Sequence, residues 1–195
     1  KKIIFVTGTR ADYGKIKSLI LKLQKTNLFE AHVFVTGMHN LKKFGSTWEA
    51  LSYDKIKNIT RFRNQKNNDS MDLVLSKTIV GFKRTVTKIR PDLIVIHGDR
   101  IETLACAIVC SLNNYRTAHI EGGEVSGTVD EILRHSISKL AHVHFVTNKR
   151  AKKRLIQMGE FKNNIFVIGS PDIDIINSKN LPLQKDVSKR YNIKF

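Results

Sequence analysis

Two short stretches carry most of the chemistry this chain can offer. Ile94-Val95-Ile96 runs into His97-Gly98-Asp99-Arg100, and about twenty residues later an apolar run ends in His119-Ile120-Glu121-Gly122-Gly123-Glu124. Asp99 could accept a proton, Arg100 beside it could clamp a phosphate through two parallel N–H donors, and His97 is expected to contact the substrate with them. The bland alternative for this pair is a helix N-cap aspartate with a surface arginine. Glu121 and Glu124 lie in a glycine-flanked loop, where burial would raise a glutamate pKa toward a range useful for proton transfer.

Two further segments belong beside them. Gly8-Thr9-Arg10-Ala11-Asp12-Tyr13-Gly14-Lys15 follows the first apolar run. Glycines at a strand-to-helix turn admit close backbone approach, and the helix amino end carries partial positive charge. Arg10, Gly14 and Lys15 would then face a diphosphate, although the spacing is neither a Walker A loop nor G-x-G-x-x-G. A tight turn with a solvated arginine is the competing reading. Asp130-Glu131 opens a helix and Arg134 follows within one turn, which ordinary dipole complementation and a helical ion pair would also explain.

Other catalytic classes find little support. His142-Val143-His144 would place two rings on one strand face, but no third ligand has zinc spacing. No Gly-x-Ser-x-Gly elbow occurs. Cys106 and Cys110, four apart in an apolar helical pattern, read as buried thiols of a reducing compartment.

The elements that would position these groups alternate from end to end. Strands are expected at Lys2–Thr7, Ala31–Thr36, Ile56–Phe62, Leu93–Ile96, Arg116–Ile120, His144–Val146 and Ile165–Ile168. Helices are expected at Asp12–Lys25, Met71–Ile89, Glu102–Leu112, Asp130–Leu140 and Asn148–Met158, with loop and a short helix over Met38–Leu51. Repeated β-α-β units give an α/β, doubly wound parallel sheet of Rossmann type. Carboxylates and glycines at successive strand ends then fall along one carboxyl edge, where such sheets bind ligands. After Gly169-Ser170-Pro171 a short helix over Asp172–Asn177 leads into Ser178–Leu183, read as a linker. Asp186–Phe195 reads as the start of another unit, so 1–177 is expected to be one lobe of a larger two-lobed protein.

The chain has 195 residues, 41% of them hydrophobic, enough for one domain with a sizeable core. Its formal charge of +17 points toward anions, whether nucleic acid, an anionic surface or a phosphorylated substrate. The one dense cluster, Lys149 to Arg154, reads as a solvated helix face with Leu155 and Ile156 turned inward. It lacks interleaved aromatics, so a single-strand stacking platform is not expected. No apolar run reaches membrane-span length and no charged-then-apolar leader opens the chain, so a soluble, cytoplasmic protein is expected.

Taken together these residues resemble the UDP-N-acetylglucosamine 2-epimerase family, in particular its hydrolysing branch from sialic and related nonulosonic acid synthesis. The resemblance rests on Gly8 to Tyr13, His97 to Arg100, His119 to Thr128, Arg134-His135 and Ile168 to Pro171. The non-hydrolysing branch usually has a Glu-Ala-Gly-Leu-Arg type of sequence where this chain has Glu121-Gly122-Gly123-Glu124. It also tends to have Pro-Glu in place of Ala11-Asp12. The resemblance implies one lobe of a glycosyltransferase-B-like fold, with the nucleotide sugar held between two lobes. It implies that Arg10 and Arg100 contact the diphosphate, and that Asp99, Glu121 and Asp130 are acid/base carboxylates supported by Arg134. The branch often shows two aspartates where this chain has Asp130-Glu131, which leaves open which of the two reaches the sugar.

The implied reaction converts UDP-N-acetylglucosamine, or a UDP-2,4-diacetamido-trideoxy relative, to UDP and the free manno-configured sugar. No cofactor or metal is implied, and the partners are the UDP-sugar, a carboxy-terminal lobe and a second copy of the chain. In the family the other lobe supplies most uridine contacts and a further histidine. Other readings are a lobe that binds a nucleotide sugar or anion without catalysis, a non-hydrolysing epimerase, a glycosyltransferase lobe and, on charge alone, a nucleic-acid-binding module.

Overall fold

A computed structural model describes residues 1–177 and 183–191. Seven strands form one parallel sheet: β1 (Lys2–Thr7), β2 (Glu30–Val35), β3 (Ile59–Arg61), β4 (Leu93–His97), β5 (Thr117–Ile120), β6 (Val143–Val146) and β7 (Ile165–Val167). Their order is β3-β2-β1-β4-β5-β6-β7, so the chain reverses direction between β1 and β4. That reversal leaves a crevice outside the carboxyl ends of the two strands, where the connections diverge to opposite faces.

The strand sequences explain the layers. In β1, Ile3 and Phe5 pack with Val33, Val35, Val95 and Ile120 beneath α1 (Arg10–Gln24). Alternate residues Ile4 and Val6 join Phe34, Ile94 and Ile96 on the opposite face. There they meet α3 (Met71–Ile89), α4 (Ile101–Leu112) and α5 (Val129–Leu140) through Phe82, Val86, Cys106, Val109 and Ile137. A strand buried on both faces reads as a continuous apolar run, as β1 and β4 do. Each fully buried Ile or Phe contributes roughly 1.5–3 kcal/mol of transfer free energy.

The remaining helices are α2 (Glu49–Tyr53), α6 (Lys149–Gln157), α7 (Pro171–Ile176) and α8 (Gln184–Tyr191). Gly81 on α3 is required by packing: a Cβ there would come within 2.3 Å of the Phe62 ring. Helix α3 ends at Arg90 in the left-handed region (φ 53°), just before Pro91, whose ring cannot continue the ladder.

Most expected elements are present with ends shifted by one to three residues. The third strand is shorter than expected, and α1 begins at Arg10 because Thr9 takes the cap. Both cysteines are free and buried. Ile156, expected to turn inward, is 39% exposed; only Ala151 and Leu155 of α6 enter the core. Residues 178–182 of the expected linker, and 192–195, lie outside the described residues. No helix among the described residues is long and apolar enough to cross a membrane.

Candidate active site

The turn between β1 and α1 is built around Asp12. Thr9 caps α1, its Oγ1 accepting from the Asp12 backbone N–H at 3.2 Å. The Asp12 carboxylate answers by accepting from Thr9 Oγ1 (2.9 Å) and the Gly8 N–H (3.3 Å). The aspartate is thereby buried, while Arg10 stays exposed at the helix start. Nothing approaches within 4 Å of a Cβ placed on Gly14, so the flank of this turn is open.

Behind the turn, the buried His39 ring is held by Thr7 and Thr47. Its Nε2 lies 2.9 Å from Thr7 Oγ1 and its Nδ1 2.8 Å from Thr47 Oγ1. Thr7 donates its single hydroxyl proton to Thr9 O, so Nε2 carries the ring proton and Nδ1 accepts from Thr47. Burial pushes the His39 pKa down to about 4, which keeps the ring neutral.

At the end of β4, His97 is 5% exposed and lies between two carboxylates. Its Nε2 is 3.2 Å from Glu121 Oε2 and its Nδ1 is 3.5 Å from Asp12 Oδ1. These are ion-pair distances with no well-aligned hydrogen bond. Burial alone would lower the His97 pKa, but the two carboxylates prevail and raise it. Expected as a substrate contact, His97 instead sits behind Glu121.

Glu121 follows β5 with φ 62°, a left-handed backbone that costs a non-glycine residue roughly 1–2 kcal/mol. Its Oε2 also accepts from Lys15 Nζ at 2.8 Å. Desolvation would raise this carboxyl, as the sequence suggested, but His97 and Lys15 outweigh it and bring the pKa down to about 2. Two cations against one oxygen reverse the expected direction. Lys15, expected at a diphosphate, is shared between Glu121 and Asp172 of α7, the latter at 3.5 Å.

Asp99 does not cap α4; Arg100 occupies that position without a side-chain bond. Asp99 is instead ion-paired with Arg134, which reaches across from α5 rather than pairing along its own helix. Arg100 Nη2 lies 3.1 Å from Met38 Sδ. The buried His119 ties these parts together, with Nε2 2.7 Å from Gly98 O and Nδ1 3.1 Å from Ser138 Oγ of α5. Burial lowers its pKa to about 3, so the neutral ring donates from Nε2 to Gly98 O, while Nδ1 shares the single Ser138 hydroxyl proton with Arg134 O at 3.0 Å.

The adjacent acids Asp130 and Glu131 have different surroundings. Glu131 Oε2 accepts from the Ser126 and Gly127 N–H groups at 2.9 and 2.8 Å, closing the loop before α5. Asp130 lines a cavity of about 260 Å³ with Arg100, Met38 and the buried Glu102. Glu124 accepts from Asn148 Nδ2 (2.9 Å) and from Thr147 Oγ1, so it supports the start of α6. His144 pairs with Glu160 at 3.1 Å, His142 accepts from the Thr117 N–H, and no group among the described residues could hold a metal ion.

Residues from the ends of β1, β4 and β5 and the start of α5 therefore meet at one edge. The family model described as UDP-N-acetylglucosamine 2-epimerase matches residues 21–194. The chain belongs to this family. It is 44% identical over its whole length to a UDP-N-acetylglucosamine 2-epimerase of Neisseria meningitidis serogroup B, covering 52% of that protein. It is 37% identical over 98% of its length to a hydrolysing UDP-N,N'-diacetylbacillosamine 2-epimerase of Legionella pneumophila, again covering 52%. A crystal structure of the Neisseria meningitidis UDP-GlcNAc 2-epimerase bound to UDP-GlcNAc matches with TM-score 0.84 at 22% identity, covering 100% of this chain and 54% of that one. The chain thus spans about half the length of the curated relatives it matches, with the fold of one lobe of these glycosyltransferase-B-like epimerases.

Asp12 and Asp172 were not picked out as site residues from the sequence. Asp12 lies inside the first glycine-bearing segment, so its position was in view; its contact with His97, 85 residues away, was not.

Proposed function

We propose that the intact protein is a hydrolysing UDP-N-acetylglucosamine 2-epimerase, acting on UDP-GlcNAc or a UDP-2,4-diacetamido-trideoxy sugar. Residues 1–177 are then one lobe, and 178–195 lead toward a second lobe that completes the site. The observation that carries this reading is the gathering of Asp99, Glu121 and Asp130 with Arg100 and Arg134 at the β1/β4 reversal.

In this reading the diphosphate lies over the β1–α1 turn, where Arg10, Arg100 and the free N–H groups of α1 neutralise the leaving group. Lys15 joins it by exchanging Glu121 for a phosphate oxygen. Direct removal of the carbon 2 proton is costly, because the carbanion has little stabilisation. As the carbon 1–oxygen bond breaks, positive charge grows on the ring and the carbon 2 proton becomes acidic. Asp99 or Asp130 accepts that proton and UDP departs, leaving a 1,2-unsaturated sugar. Water then adds its hydroxyl at carbon 1, and a proton returns to the opposite face of carbon 2. Glu121, kept as an anion by His97 after Lys15 has moved to the phosphate, faces the developing ring charge. The balance is nucleotide sugar plus water to UDP plus free epimerised sugar.

The hydrolysing assignment draws support from Glu121-Gly122-Gly123-Glu124. At Gly122, where the non-hydrolysing type has Ala, a Cβ would lie 2.8 Å from Ser138 Oγ and 2.9 Å from His119 Nδ1. The backbone position thus excludes larger residues, while Glu124 anchors the loop to α6. The Legionella relative named as hydrolysing supports the same reading.

The test is product analysis with the intact protein and each UDP-sugar. Free 2-epimerised sugar and UDP in equal amounts are expected. A product that keeps its nucleotide would contradict hydrolysis, and release of UDP only when an acceptor sugar is supplied would indicate a transferase.

A further inference from the structure

We propose that Asp12 is a positioning residue for the candidate active-site carboxylate Glu121, acting through the buried ring of His97. This rests on the epimerase reading only for the reaction that Glu121 serves; the linkage itself is geometric. Asp12, His97 and Glu121 form a chain of carboxylate, imidazole and carboxylate, with separations of 3.5 and 3.2 Å. The side chains are 10%, 5% and 14% exposed, so the charges interact with little water between them. Neither His97 nitrogen has a hydrogen-bond partner among the described residues, so the two carboxylates dominate its surroundings.

Asp12 is itself fixed. Thr9 Oγ1 and the Gly8 N–H hold its other oxygen, leaving Oδ1 toward the ring. The charged and titratable groups facing this chain are Lys15 of α1 and Asp172 of α7 on the Glu121 side, Arg100, His39 and the buried Glu102 of α4 beside Asp12, and His119 of β5. A cation on His97 is favoured by Asp12, and that cation in turn favours the ionised form of Glu121. The turn that would hold the diphosphate is therefore also the anchor of the ring behind Glu121.

The linkage is tested by NMR on the 195-residue chain, following the His97 ring and the Glu121 side-chain carboxyl across pH. In the unsubstituted chain the His97 midpoint lies above the ordinary histidine value, because two carboxylates face the ring. Asp12→Asn should lower the His97 midpoint by at least one pH unit, about a tenfold loss of proton affinity. His97→Gln should raise the Glu121 midpoint by a unit or more. In the His97→Gln background, Asp12→Asn should then leave Glu121 unmoved. An unchanged His97 midpoint in folded Asp12→Asn, or an unchanged Glu121 midpoint in His97→Gln, overturns the proposal. Should Asp12→Asn fail to fold, as circular dichroism would show, Asp12→Ser takes its place, with the same expected fall in the His97 midpoint and an unchanged midpoint again overturning the proposal.

Activity supplies a separate arm. In the intact enzyme Asp12→Asn should lower kcat more than it changes KM and displace the acid limb of the pH profile, with Asp12→Glu restoring both in part. A full NMR response in a protein with no epimerase turnover would sink the functional reading while leaving the linkage in place.

Discussion

Lys15 Nζ and His97 Nε2 approach the same oxygen of Glu121, at 2.8 and 3.2 Å. One carboxylate oxygen thus collects two cations from different elements, and it does so on a left-handed backbone. Such convergence at the sheet's reversal point is the arrangement on which the functional reading depends. Glu121→Gln should reduce epimerase turnover of the intact enzyme about 100-fold or more. Wild-type turnover in a correctly folded Glu121→Gln enzyme would remove this residue from the site.

Asp130 and Glu131 separate by experiment. Asp130 faces the cavity beside Arg100, whereas Glu131 caps the Ser126 and Gly127 amides. Asp130→Asn should cost about 100-fold in kcat and leave the melting temperature unchanged. Glu131→Ala should lower the melting temperature and cost less than tenfold in kcat. Reversed effects would exchange the roles.

Acid should weaken the fold early. His39 and His119 are buried and neutral, with pKa values depressed from 6.5 to about 4 and about 3. Below pH 6.5 the unfolded chain binds protons that these folded rings refuse, so stability falls with pH. The slope is at most about 1.4 kcal/mol per pH unit per ring. His97 has the opposite sign: its raised pKa adds stability that is complete below 6.5 and lost as pH rises through the folded value. It therefore opposes this slope only near pH 6.5 and adds almost none below about pH 5.5. Urea unfolding of the chain across that window should show decreasing stability, and His39→Gln should flatten the slope. A level profile in the unsubstituted chain would contradict the buried, neutral assignment.

Gly37 offers a structural check on the β1–α1 edge. It has φ 59°, and a Cβ there would lie 2.6 Å from Glu102 Oε1 and 2.7 Å from Gly8 O. Gly37→Ala should destabilise the chain by about 1–3 kcal/mol, since neither the backbone nor the buried acid can withdraw cheaply. Calorimetry showing an unchanged melting temperature would mean the turn is looser than described.

The 195-residue chain should not turn over either UDP-sugar, because an open edge cannot enclose the substrate or exclude water. Sustained UDP release by this chain alone would show that it contains a complete site.

Much of this was legible in the sequence, for identifiable reasons. Apolar runs such as Ile94-Val95-Ile96 and helical spacing such as Ile16 with Ile20 report burial directly, so strands, helices and their alternation could be read. The strand-end acids followed from that alternation. What could not be read depended on partners distant along the chain. The direction of the Glu121 shift is set by Lys15 and His97, and the fate of Arg134 by Asp99 on another element. The choice between Asp130 and Glu131 turns on which backbone amides the preceding loop offers. Ile156 was misplaced because only one narrow face of α6 meets the sheet.

The most direct measurement is a titration of the isotopically labelled 195-residue chain with millimolar UDP, followed by amide and side-chain NMR. Shifts should concentrate at three strand ends: the turn from Gly8 to Lys15, Gly98 to Arg100, and the loop from Glu121 toward Asp130. Their arrangement places acids and guanidinium groups along one rim, where the nucleotide would rest. Shifts confined to the basic face of α6, with those strand ends undisturbed, would contradict the account.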